Sequence, residues 1–294
     1  MLSNNLTFVL FMFNEEARVE RAVKNLVPFG RVLVVDNYST DRTVELAKSL
    51  GADVLMHKNT GWVEDEYTTG KVMAAVQTPW IYWGYADEMM DGRTLRKIVQ
   101  EIDSGLYKII SIPRKNYFFA RDCGRAYAGR LNRIFEKGAI DFKDNTIHYF
   151  GKPTVTKEQI LGLDIKHYFV HHFISNTTKS YLQTNDRYTD LHASSYPAES
   201  MLVTFAKIGK TFLANYFVRG ACKAGSAGLF FSIQTALYQV LLAMKAYEYR
   251  NQIDTPEIER RNNKIRDQIL ADMHDTPAGA AAQRAAEQPE SAAR

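Results

Sequence analysis

Short apolar runs alternate with stretches of helical spacing along the N-terminal part of the chain. Continuous apolar runs of about four to eight residues predict buried strands, and apolar residues three or four positions apart predict amphipathic helices. The predicted strands are 7–13, 31–35, 52–57, 80–84 and 107–112. The predicted helices are 15–26, one that begins at Ser39 or Thr40 and ends at Leu50, and 93–103. This alternation predicts an α/β fold, with a mostly parallel sheet covered by helices on both faces.

Polar residues follow three of these strands closely. Asn14 comes after the first strand, Asp36 after the second and Asp87 after the fourth. Ligands of such sheets bind beyond the carboxyl ends of the strands, so we expect the three side chains to share one site. A simpler interpretation stays open for the acids. Asp36 also suits a turn before a capped helix, and Asp87 with Glu88 suits a helix N-terminus.

The pattern changes after residue 112. It becomes irregular and basic up to residue 149, with Arg114, Lys115, Arg121, Arg125, Arg130 and Arg133 close together. This cluster suits either a phosphate-binding surface or a solvated face. A strand is predicted over 165–170, ending in His171 and His172, and helices over 178–191 and 255–273. Beyond Thr276 no apolar period remains, which predicts disorder.

Composition and charge narrow the class of protein. The chain has 294 residues, 46% of them apolar and 24% charged, which excludes a disordered, collagen-like or coiled-coil protein. Two cysteines, Cys123 and Cys222, predict neither a disulfide framework nor a zinc site. The net charge of +4 weakly favours anionic partners, but we expect no nucleic acid partner.

Residues 201–250 are apolar and basic together. They hold Lys207, Lys210, Arg219, Lys223, Lys245 and Arg250 against Glu248 alone, so six minus one gives +5. Polar residues interrupt the most apolar stretch and disfavour a spanning helix. The segment therefore predicts interfacial helices on a membrane surface. Because no secretory signal is visible, we expect a cytoplasmic protein, peripheral on the inner face of the cell membrane.

Three motifs in order carry a resemblance to a known family. They are NEE at 14–16 after an apolar strand, VVDNYSTDRT at 34–43 and WIYWGYADE at 80–88. With them the chain resembles a family 2 glycosyltransferase of GT-A (Rossmann-like) fold, in the bacterial lipopolysaccharide-core and surface-polysaccharide glucosyltransferase branch. The resemblance is good over residues 5–110 and looser beyond. We expect a nucleotide-sugar and acceptor domain at 1–200, a basic amphipathic helical extension at 201–274 and a disordered tail at 275–294.

The resemblance implies roles for particular residues. Asn14, Asp36, Tyr85 and Asp87 would bind a nucleotide diphosphate sugar. Tyr85 replaces the first aspartate of the family's Asp-x-Asp motif. The metal, Mg²⁺ or Mn²⁺, would be held by Asp87, Glu88 and His172, since hard cations prefer carboxylate oxygens and would stabilise the departing diphosphate.

An inverting member of the family also needs a base that takes the proton of the acceptor hydroxyl. The family often has an acid directly after a histidine at this point, but here Tyr149 follows His148. Asp144, Asp141 and His148 itself are the candidates.

The expected activity is transfer of a hexose, with inversion, from a nucleotide diphosphate sugar to a glycan or glycolipid acceptor in lipopolysaccharide or surface-glycan synthesis. Two alternatives stay open. One is a polyprenyl-phosphate glycosyltransferase, which the arginine cluster would suit. The other is a catalytically silent GT-A module that binds a glycan or nucleotide.

Overall fold

A computed structural model describes residues 3–59, 64–126, 129–143, 145, 150–175 and 177–274. The strands in these ranges are β1 (Leu6–Met12), β2 (Arg31–Asp36), β3 (Asp53–Met56), β4 (Trp80–Tyr85), β5 (Glu88–Met89), β6 (Ile109–Phe118), β7 (Arg121–Asp122), β8 (Arg130–Glu136), β9 (Ile140–Asp141), β10 (Lys152–Pro153), β11 (Ile160–Gly162) and β12 (Val170–Ile174). The α-helices are α1 (Glu16–Leu26), α2 (Thr43–Ser49), α3 (Glu66–Ala75), α4 (Gly92–Ser104), α5 (Thr178–Ala193), α6 (Met201–Leu213), α7 (Ser226–Arg250) and α8 (Thr255–His274).

One large sheet organises the chain. Its strand order is β3-β2-β1-β4-β8-β6-β12-β5, and β7 and β11 pair with β6. The first four strands are parallel, β8 runs antiparallel between β4 and β6, and β6 is parallel to β12. Strands β9 and β10 form a separate antiparallel pair. The carboxyl ends of β2, β1 and β4 therefore lie side by side at one edge.

Apolar clusters lie on both faces of the sheet. On one face α1 and α4 pack against the inward residues of β1 and β2, including Leu10 and Val34. On the other face α3 contributes Val72 to a cluster with Trp83 and Phe135. The predicted α/β class, with a mostly parallel sheet, helices on both faces and C-terminal helices, is confirmed.

Two predictions about the second half of the sheet were wrong. The strand expected over 165–170 begins instead at Val170, because Asp164 holds a turn in which its carbonyl accepts from the amides of His167 and Tyr168. The strand predicted to end at residue 112 continues as β6 through Pro113 to Phe118, where an irregular pattern was expected. Its inward Arg114 and Asn116 are stabilised by polar partners, which a hydrophobic pattern does not reveal.

A third apolar cluster joins the C-terminal helices to the sheet. Phe118, at the end of β6, packs against Phe231 of α7 with the rings tilted and their centroids 5.2 Å apart. Helix α7 is long and apolar enough to cross a membrane, with a mean hydropathy of 1.5 in its most apolar window, but 44% of that window is buried inside the protein. Core helices of soluble proteins often have this length and composition. The division at residue 200 stays a prediction, and the tail at 275–294 lies outside the described residues.

Gly228 allows the close approach on which this junction depends. A Cβ atom added there would lie 1.7 Å from the carbonyl oxygen of Ala221, and that backbone belongs to the same cluster. A methyl group at this position would therefore push α7 away from the turn that precedes it.

We predict that Gly228→Ala lowers the free energy of unfolding by about 1–3 kcal/mol, the usual cost of overpacking. The matched control is Gly209→Ala in α6, where an added Cβ meets nothing within 4 Å. That control should raise stability by about 0.5–1 kcal/mol, because alanine favours helix more than glycine does. Denaturant titration measures both. Equal stability of the two variants would contradict the close approach.

Candidate active site

The loops that follow β1 and β2 are bound to each other by polar contacts. Asp36 is fully buried and accepts from the amide of Ser39 at 2.7 Å and from its hydroxyl at 2.6 Å. The same Ser39 hydroxyl accepts from the amide of Asn14 at 2.8 Å, and the Asn14 side chain accepts from the amide of Thr40 at 2.8 Å. Asn14 has a positive φ of 55°, which asparagine tolerates well. The structure thus places Asn14 and Asp36 in one network of hydrogen bonds. Asp36 also stabilises the turn before α2 through its bonds to Ser39.

Asp87 meets His172 at the carboxyl end of β4. Strand β5 pairs with β12 so that Glu88 lies opposite His172, and the Asp87 carbonyl accepts from the amide of Phe173 at 2.9 Å. Nε2 of His172 lies 3.3 Å from Oδ2 of Asp87. Burial alone would raise the pKa of the Asp87 carboxyl, but His172, with Arg18 and Arg114 nearby, holds that pKa below its usual range. Asp87 is therefore a stable anion at the sheet edge.

Glu88 has a different environment from its neighbour. Its side chain is 1% exposed, and its two oxygens lie 2.6 and 2.7 Å from Nη1 of Arg133. The hydroxyl of Tyr82 donates to Oε2 at 3.1 Å. Burial opposes the charge of Arg133, yet Glu88 keeps the pKa of that guanidinium above its usual range. The expected metal role of Glu88 stays a prediction, and the structure gives this carboxylate a guanidinium partner.

Sequence reasoning missed a carboxylate beside Tyr85. The Tyr85 hydroxyl donates to Oε1 of Glu64, and the indole nitrogen of Trp83 donates to the same oxygen at 3.0 Å. Glu64 lies in the loop before α3, so an acidic side chain reaches the position where the motif has Tyr85 in place of aspartate. Acids before a helix are ordinary in a sequence. Only the missing aspartate at position 85 could have prompted a search for a substitute.

Two described residues that are close in sequence to the candidate bases make contacts around β4. Phe142 stacks on Trp83 at 5.7 Å, and the Asn145 side chain donates to the carbonyl of Glu64 at 2.7 Å. Asp141 ends β9, is exposed and accepts from the amide of Lys143 at 2.9 Å. Asp144 and His148 lie outside the described residues, so their predicted roles stay predictions.

The arginine cluster divides into inner and outer members. Arg133 pairs with Glu88, and Arg114 Nη1 lies 3.8 Å from Glu88 and 3.5 Å from Nδ1 of His172. Burial and the neighbouring Arg133 lower the pKa of Arg114. Lys115 instead pairs with Asp122, and Arg121 and Arg130 are exposed. Arg114 is thus the member of the cluster that contacts His172.

The metal-binding atoms of Asp87 and His172 suit a divalent cation that is held mainly through a substrate. In the described part of the chain, no three His, Cys, Asp or Glu side chains come together as a metal site. Asp87 and His172 nevertheless bring an oxygen and a nitrogen to 3.3 Å, with side chains 26% and 18% exposed. Mg²⁺ in phosphate sites commonly uses only one or two protein ligands, the substrate supplying others. The residues present therefore fit Mg²⁺ or Mn²⁺.

Comparison with known proteins identifies related chains. The family model described as "Glycosyl transferase family 2" matches residues 7–160. An uncharacterized glycosyltransferase of Mycobacterium bovis is 39% identical over 106 residues, which are 36% of this chain and 47% of that protein. The prophage-derived glycosyltransferase SunS of Bacillus subtilis is 28% identical over 120 residues, 40% of this chain and 26% of that protein. The chain spans less than half the length of these relatives.

Solved structures with related folds are more distant. The mannosyltransferase PcManGT of Pyrobaculum calidifontis, in complex with GDP-Man and Mn²⁺, is 12% identical with a TM-score of 0.46, over 83% of this chain and 87% of that one. TarS residues 1–349 of S. aureus, in complex with UDP-GlcNAc, is 12% identical with a TM-score of 0.43, over 85% of this chain and 93% of that one.

We predict that Glu88→Gln lowers the free energy of unfolding by about 3–5 kcal/mol, because it leaves Arg133 as a buried charge without its counterion. The matched control is Glu45→Gln, which removes an exposed partner of Arg42 and should cost less than about 1 kcal/mol. Urea denaturation measures both variants. A Glu88→Gln variant as stable as the control would contradict a structural role for this pair.

Proposed function

The chain belongs to glycosyl transferase family 2, whose model covers just over half of it, and from that premise we propose an inverting hexosyltransferase that uses a nucleotide diphosphate sugar. One observation carries the proposal: Asp87 and His172 meet at the sheet edge where β1 and β2 also end. Adjacent strands are about 4.8 Å apart, so the ends of β2 and β4 are roughly 10 Å apart. We propose that a nucleotide lies across this edge, between the loop that holds the buried Asp36 and the Asp87–His172 pair.

Asp36 and Asn14 would bind the nucleoside part of the donor. Each Asp36 oxygen already accepts one hydrogen bond from Ser39, and a carboxylate oxygen has a second lone pair for a base N–H or a ribose hydroxyl. Because Asp36 is fully buried, the loop after β2, which polar contacts join to Asn14, would have to open to admit the donor. Glu64, beside Tyr85, would supply the carboxylate that the motif lacks at position 85.

Asp87 and His172 would face the diphosphate. A divalent cation bound there would neutralise the negative charge that develops on the leaving phosphate. Arg114 would bring a second positive charge to the same place, since it lies within 3.5 Å of His172. Charge stabilisation of this kind needs groups that are oriented in advance. Arg114 and His172 meet this need because they lie on the neighbouring strands β6 and β12.

Inversion requires a base opposite the leaving group. The acceptor oxygen forms a bond to the anomeric carbon while the bond from that carbon to the diphosphate oxygen breaks with its electron pair. The acceptor proton passes to the base, for which we propose Asp144, then Asp141 or His148. What supports this is that Asn145, the residue after Asp144 in the sequence, contacts Glu64, which binds Tyr85 of β4.

The acceptor we propose is a glycan or glycolipid of lipopolysaccharide or surface-glycan synthesis. A phosphate acceptor, as in a polyprenyl-phosphate glycosyltransferase, is the second candidate. Arg114 favours it, since this cation lies beside the Asp87–His172 pair and is not fully neutralised by Glu88 at 3.8 Å. Assays with the two acceptor classes separate these reactions.

A membrane-surface location is part of the proposal, and α6 supports it. This helix contains no buried residue, and Met201, Leu202 and Phe205 are 75%, 82% and 65% exposed. Phe217 and Val218, just beyond its end, are 60% and 76% exposed. An apolar face of this extent is unusual on a surface exposed to water, and it suits insertion into the interfacial region of a bilayer. We propose the cytoplasmic face of the cell membrane.

Charge contributes less to this surface than the sequence count of +5 indicates. Lys207 pairs with Glu199, and Lys245 pairs with both Asp186 and Asp190. All three acids precede residue 201, so the count over 201–250 leaves them out. Burial of apolar side chains therefore supplies most of the expected membrane affinity, with anionic lipid adding to it.

For catalysis, we predict that Asp87→Asn lowers turnover by about a hundredfold or more, the usual loss when stabilisation of a developing charge is removed. Release of nucleoside diphosphate from UDP- and GDP-sugars, with each acceptor class and Mn²⁺, measures it. Asp103→Asn, an exposed residue of α4, is the matched control and should leave turnover unchanged. Near-normal activity of Asp87→Asn would overturn the assignment. Nucleotide binding without turnover in the wild-type protein would favour the silent module.

For membrane binding, we predict that the wild-type protein sediments with vesicles containing anionic lipid. The double variant Leu202→Glu/Phe205→Glu should bind them more than about tenfold less, since burying each large apolar side chain contributes about 1.5–3 kcal/mol. Leu106→Glu, at a 70% exposed position after α4, is the matched control and should bind normally. Absence of wild-type binding, or equal loss in the control, would contradict the proposal.

A further inference from the structure

Asn116 is a buried amide that contacts the histidine of the site. It lies on β6, is 1% exposed and has His172 as its neighbour in the β6–β12 register. Its amide nitrogen donates to the carbonyl of Ala126 at 2.9 Å. This contact fixes the orientation of the amide, so its oxygen faces His172, with Oδ1 2.7 Å from Nδ1.

An amide oxygen can only accept a hydrogen bond, so this contact requires a proton on Nδ1 of His172. Neutral imidazole carries a single N–H, and Nε2 is then left with a lone pair. That lone pair lies 3.3 Å from Oδ2 of Asp87. A ring protonated on both nitrogens donates to Asn116 and to Asp87 together, and in that form it lowers the pKa of the Asp87 carboxyl. In the neutral ring a cation would have to take the place of the Nε2 proton, because a lone pair and a carboxylate repel each other.

A competing neighbour makes the choice of tautomer consequential. Arg114 Nη1 lies 3.5 Å from the same Nδ1 and is a donor, so it favours a lone pair there and a proton on Nε2. With the proton on Nε2, His172 would donate to Asp87, and Nε2 would have no lone pair with which to bind a cation. The shorter contact belongs to Asn116, at 2.7 Å against 3.5 Å.

We propose that Asn116 is a positioning residue that holds His172 in the Nδ1–H tautomer, so that Nε2 and Asp87 together accept a divalent cation. The inference rests on the proposed function for the identity of the cation site, but the tautomer itself does not depend on it. Histidines that bind metals commonly donate their other N–H to a fixed acceptor, and loss of that acceptor weakens metal binding.

The experiment begins with the tautomer. Nitrogen-15 NMR of the full chain without metal, recorded at alkaline pH, shows directly which ring nitrogen carries the proton. The His172 signals are identified by their loss in His172→Gln. The wild-type protein should show a protonated Nδ1 and an unprotonated Nε2. Asn116→Leu should shift the proton to Nε2, and Asn116→Asp, which keeps an acceptor, should retain the wild-type tautomer.

Metal affinity is the second readout. Electron paramagnetic resonance of Mn²⁺, with and without UDP or GDP, should show about ten- to hundredfold weaker binding in Asn116→Leu, while Asn116→Asp retains binding. His171→Gln is the matched control, because the neighbouring His171 contacts Tyr117 instead, and it should bind Mn²⁺ normally.

A wild-type His172 protonated on Nε2 would overturn the inference, and this result needs no variant to fold. Unchanged tautomer and Mn²⁺ affinity in Asn116→Leu would overturn it as well. By contrast, a protein with the expected tautomer and Mn²⁺ binding but no sugar transfer would count against the proposed function alone.

Discussion

The buried ion pair between Glu88 and Arg133 constrains the whole site. A carboxylate with 1% exposure is unstable without a counterion, and Arg133 of β8 supplies it with both contacts under 2.8 Å. Strand β5 has only two residues, so few backbone hydrogen bonds hold it beside β12. The ion pair anchors β5 to the sheet, and its neighbour Asp87 is thereby held against His172.

The polar groups of the candidate site are oriented by the protein itself. Asp36 is held by Ser39, and His172 is held by Asn116. Catalysis by charge stabilisation depends on such fixed groups, because a site that must reorient its dipoles loses the energy it would gain. The need for fixed polar groups also explains why polar side chains occur inside β6. A hydrophobic pattern therefore predicts too early an end for this strand.

Sequence patterns predicted the common position of the candidate site residues that depend on local order. Asn14, Asp36 and Asp87 follow apolar strands, and parallel strands bring their carboxyl ends together, so their common edge was predictable. Glu64 and Asn116 were not, because each acts through contacts with residues distant in sequence. The second half of the sheet was misjudged for a related reason: buried arginine and asparagine residues in β6 have polar partners, and the turn at Asp164 depends on its own hydrogen bonds.

The most direct test of the account locates a nucleotide and a metal on the protein. Crystals grown with UDP or GDP and Mn²⁺ would be measured at a wavelength where manganese scatters anomalously. The account predicts a manganese peak between Asp87 and His172, touching the diphosphate, with the nucleoside lying across the ends of β4 and β1 toward Asp36. A nucleotide bound elsewhere, for instance among the C-terminal helices, or a manganese peak away from Asp87, would contradict it.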